Sequence, residues 1–405
     1  MVREKIKQLV LASHYVWKGG PLFYGWVLLL TTFIAIGVWA YAQQLQHGFI
    51  LTSIRDQVSW GFYSSNFTFL VGVAAAAVLL VIPAYLYHFK PIKEIAFLGE
   101  MMAVTAIIMC ILFVTVDLGH PERIWHMLPF AGAPNFPDSI LTWDVLVLTG
   151  YLVLNGVIFF YVLYKIYCQE DYLSIMPLIL LSIPWAFTIH TVTAFLYNGL
   201  SGRPFWNASI LAPRFLASAF CSGPAAMILI FQIVRRFCKI TIEDKAIFKV
   251  AELVSYTMGI NIFLLGCEVF KEFYSASIHL APMEYLYHGL NGHDNLVSWM
   301  WLATGLNITA FFIFIRPSTR HNFFLLNTGC LFVFIGVYIE KGMGLIIPGF
   351  IPGTLGEIYE YSPSNIELWV SLGIWALGAL IYTLLVRFAV PIFNGDVRFV
   401  KAEAG

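Results

Sequence analysis

Ionisable side chains lie inside long apolar stretches of this 405-residue sequence. Burying such a group in an apolar environment costs free energy, so its presence there usually marks a functional site. Asp144, His190 and Arg214 lie one to two turns inside such stretches, and Asp117 and Glu268 lie near the ends of two others. Proton transfer needs a group whose pKa lies near the working pH, which a partly buried carboxylate can acquire. These residues therefore indicate a ligand site or a proton path, with a structural ion pair as the alternative.

The apolar stretches themselves are typical of a membrane protein. The chain is 60% hydrophobic and 11% charged, whereas a soluble domain is about a quarter charged. A helix that crosses the bilayer needs about 20 mostly apolar residues, and continuous runs favour helices over alternating barrel strands. We therefore predict an all-α polytopic membrane protein of about ten transmembrane helices, at 22–44, 60–87, 94–117, 140–165, 174–198, 208–234, 247–274, 295–315, 322–342 and 366–391.

The positions of the basic residues predict the orientation. Most of the 23 Lys and Arg residues lie in the two tails and in the connections after spans 2, 4, 6 and 8. The positive-inside rule then places both termini in the cytoplasm, with the chain in the inner membrane. Residues 1–7 are basic and amphipathic and precede a full-length span, which favours a cytoplasmic surface segment over a cleaved signal peptide.

In this orientation, polar residues collect at the outer ends of the spans. Lys271 beside Glu272, and Glu340 beside Lys341, are more typical of neighbouring interfacial charges than of catalytic groups. The full set of outer-end residues comprises Trp60, Tyr63, Asn66, Asp117, His120, Asp144, His190, Asn198, Arg214, Glu268, Lys271, Glu272, Glu340 and Lys341. Their convergence on one level of the membrane predicts that the chemistry lies at the outer face.

The sequence also contains an internal repeat. Glu100 and Asn155 recur 152 positions later as Glu252 and Asn307. An even number of helices in each unit predicts parallel repeats, related by an axis along the membrane normal. We therefore expect two parallel four-helix bundles, plus one flanking helix at each end of the chain. The expected units are 1–59 (N-terminal segment, first helix and outer loop), 60–200 (first bundle), 201–345 (second bundle) and 346–405 (outer loop, last helix and tail).

Further polar residues lie between the cytoplasmic side and the outer site. Glu100 and Glu252 lie near the cytoplasmic ends of their spans, about 25 Å of helix from the outer level. The complete predicted proton path is Glu100, Asn155, Glu252, Asn261, Glu268 and Asn307. Polar contacts that hold helices together are the alternative explanation.

The sequence carries no pattern for a redox metal. The six cysteines form no C-x-x-C pair, and His190 alone among the ten histidines lies well inside a span. We therefore expect no haem, iron–sulfur cluster or other metal in this chain. The predicted outer loops 118–139, 199–207, 275–294 and 343–365 are long and poor in charge, which suggests a docking surface for a partner subunit.

Four segments resemble the NrfD/PsrC family of membrane subunits. They are residues 60–67 (WGFYSSNF), 117–123 (DLGHPER), 142–144 (TWD) and 213–223 (PRFLASAFCSG). With ten spans the chain is most similar to a longer branch, which includes the DsrP subunits of the DsrMKJOP complexes of dissimilatory sulfur metabolism. The resemblance implies two four-helix bundles, an exchangeable menaquinone near the outer face and a docked outer iron–sulfur subunit. It also implies further haem-containing and catalytic subunits, in sulfate or sulfite metabolism.

Carried onto this sequence, the resemblance predicts the quinone-binding and catalytic residues. His190 or Asn66 would hold one quinone oxygen, while Asp144 or Asp117 exchanges the proton and Arg214 keeps a carboxylate ionised. The predicted pocket positions are Trp60, Tyr63, Asn66, Asp117, His120, Asp144, His190 and Arg214. Electrons would pass to or from the iron–sulfur subunit, with proton translocation along the predicted path. Partners are the lipid bilayer and these subunits, and no nucleic acid.

Two other functions fit the same charges. A secondary transporter could use them for a substrate, although parallel repeats and the lack of matching Gly/Pro breaks in paired spans argue against it. A structural anchor for soluble redox subunits would keep the docking loops. It would have no need of carboxylates inside helices.

Overall fold

The computed structural model describes residues 14–127, 131–238, 240–353 and 355–399. The predicted cytoplasmic segment at residues 1–7 lies outside these ranges, as do Lys239 and residues 400–405. Within them, ten helices are long and apolar enough to cross a bilayer. This confirms the predicted all-α polytopic architecture.

The long helices follow the predicted runs closely. They are α1 (Pro21–His47), α2 (Phe62–Ala75), α3 (Ala96–Val116), α4 (Ile140–Tyr167), α5 (Met176–Asn198), α6 (Leu211–Phe237), α7 (Asp244–Ser275), α8 (Val297–Ile315), α9 (Phe323–Lys341) and α10 (Asn365–Phe393). We call the end of the molecule at which α2, α4, α6 and α8 begin the upper end.

Side chains cap three of these helices at their first turn. The Ser139 hydroxyl accepts a hydrogen bond from the Thr142 amide at the start of α4, and Asn322 caps α9 in the same way. At α10, Ser364 and Glu367 form a reciprocal capping box. These contacts satisfy amides that the helix itself leaves without acceptors.

The second span is the least regular. Helix α2 ends at Ala75, and the chain continues through a short helix at Val78–Val81 and a π-helical turn at Ile82–Leu86. Pro83 lies in that turn, where it has no amide to donate to the preceding turn. The span is therefore interrupted near its lower end.

The helices form two rings of four. Helices α2, α3, α4 and α5 contact one another in that order, and α5 closes the ring onto α2; α6, α7, α8 and α9 do the same. The rings meet where α2 packs against α6 and α9, and where α5 packs against α6. Helices α1 and α10 pack together and lie against the first ring, chiefly through α10 on α3.

Small residues allow the two rings to approach closely. A Cβ atom on Gly223 of α6 would overlap the Cβ of Ala76, and a Cβ on Gly72 would lie 3.5 Å from the Cα of Ala219. Close backbone approach at small residues is a common way to pack helices in membranes. We call this contact between α2 and α6 the seam.

Candidate functional site at the upper end

A buried carboxylate and a buried hydroxyl pair across α4 and α5. The Thr193 hydroxyl donates a 2.7 Å hydrogen bond to Oδ1 of Asp144, and both side chains are almost completely buried. Helix positions that differ by three or four residues share a face, so this contact orients one face of α5 towards α4. Asp144 therefore sits inside the first ring, where a proton can be bound or released away from bulk water.

His190 lies on α5 one turn before Thr193. Its side chain is 1% exposed, and neither ring nitrogen has a hydrogen-bond partner among the described residues. The Ala186 carbonyl, one turn earlier, lies near the ring but outside hydrogen-bond geometry. Nε2 faces α2, since a Cβ on Gly72 would lie 4.0 Å from it. A buried imidazole without partners is costly, which marks His190 as a functional candidate.

Tyr197 continues the same face of α5 towards the upper end. Its hydroxyl and that of Thr68 on α2 are 2.5 Å apart. Its ring packs edge-on against Trp60 and Trp206, which stack with centroids 5.4 Å apart. Phe350 packs edge-on against both tryptophans. We call these four residues (Trp60, Tyr197, Trp206 and Phe350) the aromatic roof, because they cover the upper end where the rings meet.

Asp117 lies immediately after α3. The Ser64 hydroxyl of α2 donates a 2.6 Å hydrogen bond to its Oδ2, while its buried Oδ1 has no partner among the described residues. Burial raises the pKa of this carboxyl to about 7, although the Ser64 hydrogen bond opposes the shift. Asp117 is therefore able to exchange a proton near neutral pH.

The raised pKa of Asp117 has a consequence for stability. Between the unfolded pKa, about 3.9, and the folded value of about 7, the folded chain binds the proton more tightly than the unfolded chain. The stabilising effect of this proton is complete below pH 4 and is lost as the pH rises through 7. We expect the unfolding temperature to fall more between pH 5 and pH 8 in the natural chain than in Asp117→Asn. Equal pH dependence in the two proteins would contradict the shift.

The second ring holds a buried ion network. Arg214 of α6 pairs with Glu268 of α7, and it donates a 2.6 Å hydrogen bond to Glu340 of α9. Asn307 of α8 donates to the other oxygen of Glu340 at 3.0 Å. One residue from each helix of the ring thus joins one network. The guanidinium compensates two carboxylates that would otherwise be buried without a counter-charge.

Lys341, next to Glu340, is also buried. Its Nζ has no hydrogen-bond partner among the described residues and lies 5.0 Å from the centre of the Phe215 ring. Glu340 and Lys341 are both buried among the helices, and the chain continues beyond α9 through Met343–Phe350. Lys271 is half exposed and pairs with the buried Glu272 at 2.7 Å.

Two residues predicted to line the pocket, Asn66 and Tyr63, form hydrogen bonds that join neighbouring helices. The Asn66 carbonyl oxygen accepts hydrogen bonds from Tyr338 of α9 and Trp375 of α10, while its amide donates to the Phe62 carbonyl. The Tyr63 hydroxyl donates to Gln44 of α1 at 2.7 Å. Both side chains therefore have their hydrogen-bonding capacity largely occupied. His120 is exposed and contacts Glu122, so the structure does not bring it to the buried residues.

The predicted proton-path residues lie in several different environments. Glu268 and Asn307 belong to the ion network, and Asn261 is fully buried without a hydrogen-bond partner among the described residues. Glu100 is buried within the first ring. Asn155 donates to the Tyr151 carbonyl of its own helix, at 2.8 Å. Glu252 is partly exposed and pairs with Lys249 at 3.0 Å, outside the ion network.

Glu367 is a buried carboxylate that the sequence analysis did not identify. It accepts hydrogen bonds from the backbone amides of Ser53 and Ser364 and from the hydroxyl of Tyr361. The Tyr361 hydroxyl in turn accepts from the Phe62 amide. The S-x-x-E pattern at Ser364–Glu367 is a sequence signal for this helix cap. Its partners indicate a structural role, fixing the start of α10 beside the start of α2.

The described part of the chain contains no group of three or more His, Cys, Asp or Glu residues that could hold a metal ion. The six cysteines lie in this part of the chain as free thiols.

Comparison with known proteins relates this arrangement to a family. The model of the family described as "Polysulphide reductase, NrfD" matches residues 50–352. A selenate reductase subunit of Mesobacillus selenatarsenatis is 24% identical, over 90% of this chain and 93% of that protein. An Hdr-like menaquinol oxidoreductase integral membrane subunit of Archaeoglobus fulgidus is 23% identical, over 94% and 96%.

A third relative has a similar description. The menaquinone reductase integral membrane subunit of Nitratidesulfovibrio vulgaris is 21% identical, over 93% of each chain. All three similarities run over nearly the whole length of both proteins. Since the family model covers most of the sequence, this chain belongs to the NrfD family of multi-pass membrane subunits.

Proposed function

We propose that this chain is the quinone-binding membrane subunit of a respiratory electron-transfer complex. The head group of menaquinone binds at the upper end of the first ring, beside Asp144 and His190. The observation that carries the proposal is a buried carboxylate held by Thr193, together with a buried imidazole that has no described partner one turn earlier on α5. Relatives described as menaquinol oxidoreductase and menaquinone reductase subunits support the ligand.

The free polar atoms fit a quinone head group. A quinone carries two oxygens that accept hydrogen bonds when oxidised and carry protons when reduced, and it supplies the two-electron chemistry of the complex. Two residues were predicted to donate a hydrogen bond to a quinone oxygen. The ring nitrogens of His190 have no described partner, whereas Asn66 is hydrogen-bonded to Tyr338, Trp375 and Phe62. His190 is therefore the residue assigned to hold the quinone.

Asp144 binds and releases the proton in this proposal. The Thr193 hydroxyl holds its Oδ1, so the other oxygen remains available to a ligand. A positioned general acid or base of this kind contributes about 10²–10⁴ in rate. Asp117 with Ser64 forms a second proton-binding position, near the upper surface. Arg214 pairs with Glu268 and Glu340, so its charge stabilises the second ring and does not act on the Asp144 carboxylate.

The proposal extends to the place of the chain in its complex. The upper end is the outer face, both termini are cytoplasmic, and the membrane is the inner membrane, as the basic residues predict. An iron–sulfur subunit docks at the upper loops and exchanges electrons with the quinone, in a complex of sulfate or sulfite metabolism. Proton translocation accompanies turnover.

Binding of a fluorescent quinol-site inhibitor to the purified complex tests the site. We expect saturable quenching in the natural protein, and affinity weakened about tenfold in His190→Gln, since a lost hydrogen bond costs about 1 kcal/mol and leaves its partner without a donor. His47→Gln, at an exposed histidine at the end of α1, is the matched control and should bind normally. Unaltered affinity in His190→Gln would remove His190 from the site.

A further inference from the structure

Two buried groups without hydrogen-bond partners among the described residues face one cavity at the contact between the rings. The cavity is lined by Thr68 and Gly72 of α2, His190 of α5, Ser218 of α6 and Lys341 of α9. His190 comes from the first ring and Lys341 from the second. Both are at least nine-tenths buried, and the ring nitrogens of His190 and Nζ of Lys341 are the atoms that lack a described partner.

The size of this cavity limits what it can hold. The space open to the centre of a water molecule is about 10 Å³, which corresponds to about one water. The seam below and the aromatic roof above are closely packed. A quinone ring therefore does not fit here, so the quinone of the proposed function is held by Nδ1 of His190. A single water fits between Nε2, which faces Gly72, and the Lys341 amine.

Lys341 also borders a second cavity of the same size. That cavity is lined by Arg214 and Glu340 of the ion network, together with Tyr287 and Met300. The lysine thus lies between a cavity lined by His190 and a cavity lined by Arg214 and Glu340. Its amine can turn towards either, because the side chain has four rotatable bonds and no fixed hydrogen bond to a described residue.

We propose that His190 and Lys341 exchange a proton through a water molecule bound between the two rings. An N–H bond of the His190 imidazolium breaks and an O–H bond to the water forms, while another O–H bond of the water breaks and an N–H bond to Lys341 forms. One positive charge leaves the imidazole and one arrives at the amine, so charge and atoms balance. The inference rests on the proposed function, because quinol oxidation at Asp144 and His190 supplies the proton.

The charged groups around the lysine come from three helices of the second ring. Lys341 borders the cavity that Arg214 of α6 and Glu340 of α9 also line, and Glu268 of α7 pairs with the same arginine. A proton that reaches Lys341 therefore arrives beside the ion network. Glu340 with Asn307 continues the chain of contacts into the second ring.

Proton translocation by the whole complex in proteoliposomes tests this exchange. In Lys341→Arg, the guanidinium is always protonated, so it can neither accept the proton from the water nor release one. We expect electron transfer from quinol to stay within about twofold of the natural complex while translocated protons per electron are lost. Lys341→His, which can release a proton, should restore part of the ratio. Lys271→Arg, at a half-exposed lysine, is the matched control.

Two results would overturn the inference. An unchanged proton ratio in Lys341→Arg, or electron transfer without any translocation in the natural complex, would exclude the relay and leave the quinone site intact. Loss of electron transfer in the natural complex itself would instead refute the proposed function. Folding of each variant is verified by its unfolding temperature, and Lys341→Met provides a smaller replacement if arginine does not fit.

Discussion

Replacing Arg214 by methionine is expected to destabilise the chain by about 3–5 kcal/mol, because it leaves two buried carboxylates without their counter-charge. Glu268 and Glu340 are both almost completely buried, and both pair with this guanidinium. A thiol-reactive dye provides the measurement, since Cys110, Cys221 and Cys330 are buried and react only on unfolding.

A charge-neutral triple variant is the control for this prediction. Arg214→Met combined with Glu268→Gln and Glu340→Gln removes the buried charges together, and replacement of whole buried ion networks is often tolerated. We expect this variant to recover most of the lost stability. If Arg214→Met alone unfolds at the temperature of the natural chain, the network does not stabilise the second ring.

Replacing Asp144 by asparagine is expected to lower quinol oxidation at least about 100-fold, because the amide cannot accept the proton that the carboxylate accepts. Asparagine has nearly the same shape and can still accept the Thr193 hydrogen bond, so the complex should assemble normally. Electron transfer from a soluble quinol analogue to the acceptor in the partner subunit is the measurement, with size-exclusion chromatography as the check on assembly.

Two variants separate chemistry from packing at this position. Thr193→Val removes the hydrogen bond but leaves the carboxylate, and should cost far less activity than Asp144→Asn. Asp138→Asn, at an exposed residue of the preceding loop, should have no effect. Activity of Asp144→Asn within twofold of the natural complex would exclude Asp144 as the proton-exchanging group.

The architecture was predictable because the length of an apolar run identifies a membrane helix. Each span satisfies its own backbone hydrogen bonds, so a continuous apolar run marks it without tertiary information. The interruption near Pro83 was less predictable, since proline in a membrane helix can be accommodated by a kink or by a local π turn. The rings of four agree with the repeat that Glu100 and Asn155 suggested.

The partners of the polar residues were not predictable from the sequence. Asn66 and Arg214 are of residue types that often bind ligands. In the structure, however, Asn66 accepts hydrogen bonds from α9 and α10, and Arg214 pairs with two carboxylates. Such pairings depend on the rotation of three or four helices about their axes, which the apolar pattern of a nearly all-hydrophobic helix does not determine.

Quinone content of the complex purified with its native partners tests the central claim most directly. After organic extraction, the account predicts about one menaquinone per chain, and inhibitor binding that is weakened in Asp144→Asn and His190→Gln. Absence of extractable quinone together with absence of inhibitor binding would contradict it. That result would identify the chain as a membrane anchor or a transporter.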